Sequence, residues 1–85
     1  MKRFTLLLLA TLLLANQAQA CDEASIQHIS PRGDIIELDD GTEWTVSRGD
    51  RSTVLSWSEG DEVLICNDKI INKDEDGEKI SVAQR

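Results

Sequence analysis

Eighty-five residues with sixteen acidic and nine basic side chains make a small chain of formal net charge −7. That field repels a phosphate backbone, which argues against nucleic acid and anionic membranes as partners. One histidine, two cysteines and no phosphate-cradling glycine loop leave little material for catalysis or a cofactor, and we expect neither an enzyme nor a bound cofactor.

The first element is a leader. Lys2 and Arg3 precede an apolar run from Phe4 to Ala15, and Ala18-Gln19-Ala20 closes the segment with an A-x-A cleavage signal. Twelve apolar residues rise about 18 Å as a helix, against a bilayer core of about 30 Å. The segment reads as a secretory signal peptide over residues 1–20, cleaved after Ala20, with no stable membrane insertion afterwards. The mature chain, residues 21–85, is expected to be periplasmic or secreted and to form one small domain. Without Lys2 and Arg3, seven basic residues face sixteen acidic ones, a net charge of −9.

Cleavage leaves Cys21 first, with Cys66 as the other cysteine. A short exported chain with an even cysteine count points to a Cys21–Cys66 disulfide. Lipidation of Cys21 is the alternative, although Ala18 and Gln19 fit an ordinary signal peptidase better than a lipoprotein signal. Free thiols, or zinc held with His28, are further readings.

All five glycines (33, 41, 49, 60 and 77) neighbour an aspartate, so each pair marks a turn. Between the turns lie six expected strands: 24–30, 34–38, 42–47, 62–66, 69–72 and 78–83. Short strands at this spacing predict an all-β fold, a small five- to six-stranded antiparallel barrel of SH3-like or OB-like type. On the first strand, alternation places His28 with Ile26 on a partly buried face. A three-residue loop, Asp39-Asp40-Gly41, sets Ile36 opposite Trp44 in the core and Glu37 opposite Glu43 outside. That like-charge pair is tolerated by solvent or holds a cation. Residues 50–57 break the strand pattern. Val54 and Trp57 stand three apart, as in one helical turn over a barrel end, with Asp50 or Ser52 as its N-cap. Trp57 is then a lid, or an exposed anchor for partner contact.

Two short motifs invite functional readings. Arg-Gly-Asp occurs at 32–34 and at 48–50, the tripeptide that integrins read. Because every glycine already adjoins an aspartate, each copy needs only a preceding arginine. Pro31 and Gly33 fit a type I turn. The leader is of bacterial type, and integrin binding is not expected. At 72–78, Asn72, Asp74 and Asp76 take three positions of a calcium loop and Gly77 its sharp turn. Ala83 stands where the bidentate glutamate belongs, so an acidic hairpin loop is the competing reading.

The spacing Asp40-Gly41-x-x-Trp44-x-Val46, then Trp57-x-x-Gly60-Asp61-x-Val63, Ile71-Asn72 and Gly77-Glu78 resembles a pattern of small exported bacterial proteins of unknown role. The resemblance covers about residues 35–82 and implies a small barrel without implying an activity. The function expected is non-catalytic: a module contacting an unknown protein or peptide partner in the cell envelope, by strand addition or an aromatic groove. The alternative is a divalent-cation or small-ligand binding protein using the acidic loops at 39–40 and 74–78. A six-stranded barrel of this length leaves little room for a cleft of usual ligand volume.

Overall fold

The computed structural model describes residues 21–85, so the leader expected over residues 1–20 and its cleavage point lie outside the described residues. Six strands form in chain order: β1 Asp22–Ile29, β2 Ile35–Leu38, β3 Glu43–Val46, β4 Glu62–Cys66, β5 Lys69–Asn72 and β6 Glu78–Gln84. Between β3 and β4 lie a 3₁₀ turn, Arg48–Asp50, and a short helix α1, Arg51–Val54. The strands close in the order β1-β2-β3-β6-β5-β4, every pair antiparallel. Two three-stranded meanders are thus joined by a helical crossover and sealed along the β1–β4 and β3–β6 seams. Closure leaves no open sheet edge, which removes strand addition as a straightforward means of recruiting a peptide.

The two longest strands do double duty. The first half of β1, Asp22 to Ser25, pairs with β4, and its second half pairs with β2. Likewise β6 pairs with β5 through Ser81 and with β3 from Val82 onward. In β1 the change of partner coincides with a bulge: Ile26 opposes Leu38, but His28 opposes Glu37. The extra residue, Gln27, reverses the alternation, so Ile29 turns toward the core and His28 faces solvent. The expectation of a partly buried His28 beside Ile26 is therefore corrected. Backbone groups at the bulge are taken by the 58–61 turn, through Ile26 N–H to Asp61 O at 3.0 Å and Gly60 N–H to Ile26 O at 2.8 Å.

Alternation builds the core elsewhere as expected. Ile36, Leu38, Trp44, Val46, Val63, Ile70, Ile80 and Val82 point inward from their strands, and Val54 and Trp57 cover them from the crossover. The hairpin after β2 has the expected register, with Ile36 opposite Trp44 and Glu37 opposite Glu43, and Gly41 is left-handed at φ 88°. The like charges of Glu37 and Glu43 are eased from within the chain: Arg85 Nη1 lies 3.2 Å from Glu43 Oε1.

Cys21 and Cys66 are disulfide-bonded across a sequence separation of 45, with Cα atoms 4.8 Å apart. The bridge holds the start of β1 against the end of β4 and is suited to an oxidising compartment outside the cytoplasm. No described helix is long and apolar enough to cross a membrane.

Candidate functional site

The calcium-loop residues serve the fold. Asn72 is fully buried on the same face as Ile70, where its Nδ2 donates to Asp61 Oδ2 at 2.9 Å and its Oδ1 accepts from the Asp74 N–H at 2.9 Å. The Asp74 carboxylate accepts from the Glu62 N–H at 2.9 Å, bridging the 73–77 loop to β4. Asp76 is exposed and left-handed at φ 57°, and helps reverse the chain. Asn72, Asp74 and Asp76 are thus not gathered as a ligand set, because the buried amide is spent on turn geometry. Among the described residues no group of three or more metal-ligating side chains converges.

Trp57 is placed as a lid. It is 5% exposed, and its Nε1 donates to Glu78 Oε1 at 2.8 Å, tying the crossover to β6. The side chain is too covered to serve as an exposed anchor for partner contact. His28, outside the barrel, sits 3.0 Å from Glu59 with both side chains largely exposed.

A solvent-open groove of about 430 Å³ runs between Asp22, Asp40, Thr42, Trp44, Ile65 and Gln84. Its volume reaches the lower range of ligand pockets, larger than the barrel's size suggests. Three of its polar side chains are occupied with one another. Asp40 accepts from the Thr42 N–H and hydroxyl at 2.9 and 2.6 Å, and Thr42 Oγ1 accepts from Trp44 Nε1 at 2.8 Å.

The Arg-Gly-Asp copies divide into an internal half and an external half. In the first, Ser30 and Gly33 close the expected turn, Gly33 N–H to Ser30 O at 2.9 Å. The Ser30 hydroxyl donates to Asp34 Oδ1 at 2.6 Å and accepts from the N–H groups of Asp34 and Ile35. In the second copy, Asp50 precedes α1 without capping it. Its Oδ2 instead accepts from the Ser81 N–H at 2.8 Å and anchors the crossover to β6. The Asp50 carboxylate is therefore committed to holding backbone, and that of Asp34 to the hydroxyl that closes its own turn.

The arginines of both copies are more exposed than their aspartates. Arg32 and Arg48 are exposed, and Arg51 is partly so. None of the three is ion-paired with a described residue, whereas three of the other four basic residues of the mature chain, Lys69, Lys73 and Arg85, are. Arg48, Arg51 and Leu55 follow the i, i+3, i+7 spacing of one helical face. Leu55, 53% exposed, is the single large apolar side chain left open among the described residues.

Gly33 brings the first turn onto that face. It is left-handed at φ 73°, and a Cβ there would stand 2.6 Å from the Arg51 carbonyl oxygen and 3.0 Å from Leu55 Cγ. Only glycine allows so close an approach. Arg32, one residue earlier, is thereby set beside Arg51 and Leu55. Electrostatics agree: the Ser30 hydroxyl foremost, with the Asp34 amide and then Arg51 and Arg32, holds the Asp34 carboxyl below its ordinary range despite some desolvation. Thr42 does the same for Asp40 through its hydroxyl and amide.

Both carboxyls are depressed in the folded state, so their stabilisation is present above the unfolded value near about 3.9 and is lost as pH falls through the lower folded values. We predict that Ser30→Ala lowers the melting temperature clearly at pH 5 and by less as pH falls through the lowered value of Asp34, when the carboxylate's share is lost and the two backbone hydrogen bonds to Ser30 remain. Thermal melts by circular dichroism across that interval check it. A penalty independent of pH would contradict the assigned role of the Ser30–Asp34 bond.

The chain matches no protein-family model, no curated protein and no solved structure. The functional reading rests on the residues themselves.

Proposed function

We propose that this chain is a non-catalytic interaction module, exported to the periplasm or secreted, that docks a protein or peptide partner on the face formed by Arg32, Arg48, Arg51 and Leu55. One observation carries the reading: in a chain so rich in acid, three arginines without ion-pair partners among the described residues lie on the crossover and on the turn packed against it, the segments that carry the one exposed large aliphatic side chain. Arginine is enriched where interfaces concentrate their binding energy, and an apolar centre with a polar surround is the usual arrangement of such a patch. The disulfide and the leader together support a destination outside the cytoplasm. The packing of the Gly33 turn on the Arg51 carbonyl pre-organises the backbone of this face, so little backbone ordering remains to oppose binding.

A photoreactive side chain in place of Leu55, with the same group in place of exposed Thr45 as a control, tests the reading in cells that express the protein. A discrete adduct of defined mass from position 55 and none from position 45 is expected. No adduct at 55, or equal adducts at both, would overturn it.

A further inference from the structure

We infer that the partner presents a short acidic segment, in which carboxylates flank an apolar side chain. This rests on the docking reading above and adds the chemistry of what docks. The face offers the exposed guanidinium groups of Arg32 and Arg48, each a planar fork matched to a carboxylate, with Leu55 and with Arg51, whose Nε is already donated to the Val46 carbonyl at 3.3 Å. Of the carboxylates that chain order supplies, Asp50 is taken by the Ser81 N–H, and Asp34 is hydrogen-bonded to the Ser30 hydroxyl while feeling the charges of Arg51 and Arg32 without forming an ion pair with either. The guanidinium groups consequently lack intramolecular ion-pair partners among the described residues, while Leu55 provides an apolar contact.

The extent of the patch decides between a segment and an extended polyanion. Beyond the three arginines the mature chain carries sixteen acids against four basic residues. A bilayer of anionic lipid or a nucleic acid would bring its charge against those acids as well. A segment a few residues long meets the arginines alone, and at physiological salt the remaining field is screened within about 8 Å.

The test uses the processed, disulfide-bonded chain of residues 21–85 and a fluorescein-labelled peptide array of Asp and Glu placed around a central Leu or Phe. We expect anisotropy to report binding that weakens with salt, and by on the order of tenfold or more when the carboxylates become amides. Arg32→Glu combined with Arg48→Glu should produce a similar loss with only a small fall in melting temperature, since both side chains are exposed and Arg32 is the smallest of the influences on Asp34. Leu55→Ser should weaken binding while leaving its salt dependence intact.

Failure of every peptide to bind would overturn the inference, as would equal binding by the amide peptides or indifference to the arginine reversals. Two further outcomes also overturn it. One is arginine-dependent binding to phosphatidylglycerol vesicles without binding to peptide, which assigns the face to lipid. The other is arginine-dependent self-association in sedimentation, which assigns it to a second copy. If the peptides fail while the position-55 adduct persists, the docking reading stands and only the partner's chemistry is wrong.

Discussion

Trp57→Ala is expected to lower the melting temperature of the processed protein by about 15 °C or more. Removing a buried tryptophan costs about 3–5 kcal/mol through lost transfer energy and the cavity left behind. In a domain of this size each kcal/mol moves the midpoint by roughly 4–8 °C. The side chain covers the barrel end from the crossover at 5% exposure, alongside Val54, and its Nε1 holds Glu78. Trp57→Phe keeps most of the bulk and loses mainly that hydrogen bond, so a penalty of about 1 kcal/mol is expected. Denaturant melts of both variants check the pair of values. A Trp57→Ala protein with wild-type stability would show the indole to be a surface group after all.

Loss of the disulfide is the second large effect. Cys21→Ser combined with Cys66→Ser is expected to cost about 4 kcal/mol on the chain-entropy model, a model whose mechanism is disputed. Small domains are marginally stable, with totals of roughly 5–15 kcal/mol, so the variant is expected to be partly unfolded at growth temperature. The bridge closes β1 onto β4, whose pairing runs from Asp22–Ile65 to Ser25–Glu62. Hydrogen exchange should therefore accelerate first at Asp22 to Ser25 and along β4, before the β2–β3 hairpin responds. Uniform acceleration would show instead that the bridge acts only through the unfolded chain.

Much of this architecture is legible in the residues, and the exceptions have physical causes. Every Gly-Asp pair marked a turn or crossover, and the inward alternation around Trp44 set the hairpin register. His28 was misplaced because a perfect period of two was assumed along β1. The spacing of Ile26 and Ile29, three apart in a strand, was the available signal of the bulge. Of the two readings of 72–78, the acidic hairpin loop accounts for the contacts of Asn72 and Asp74. Counting positions from Asn72 matched a ligand pattern, while the alternation Ile70-x-Asn72 already directed the amide into the core.

The arginine face was hidden for a different reason. Treating Arg-Gly-Asp as a unit obscured that in both copies the aspartate is hydrogen-bonded within the fold while the arginine is exposed. Nor does local pattern reveal that the turn at Gly33 packs on the Arg51 carbonyl, which is a tertiary contact between segments far apart in the chain. Composition suggests cationic partners for a net acidic chain, and the proposed acidic segment departs from that expectation. What matters to a short ligand is the local distribution of charge.

The most direct measurement is a ¹⁵N-resolved titration of the processed, disulfide-bonded protein with the tightest acidic peptide from the array. Amide shifts are expected at residues 32–34 and 48–55, with the wall of the open groove at Asp22, Thr42 and Gln84 unmoved. Shifts confined to that groove, with the crossover face silent, would contradict the account.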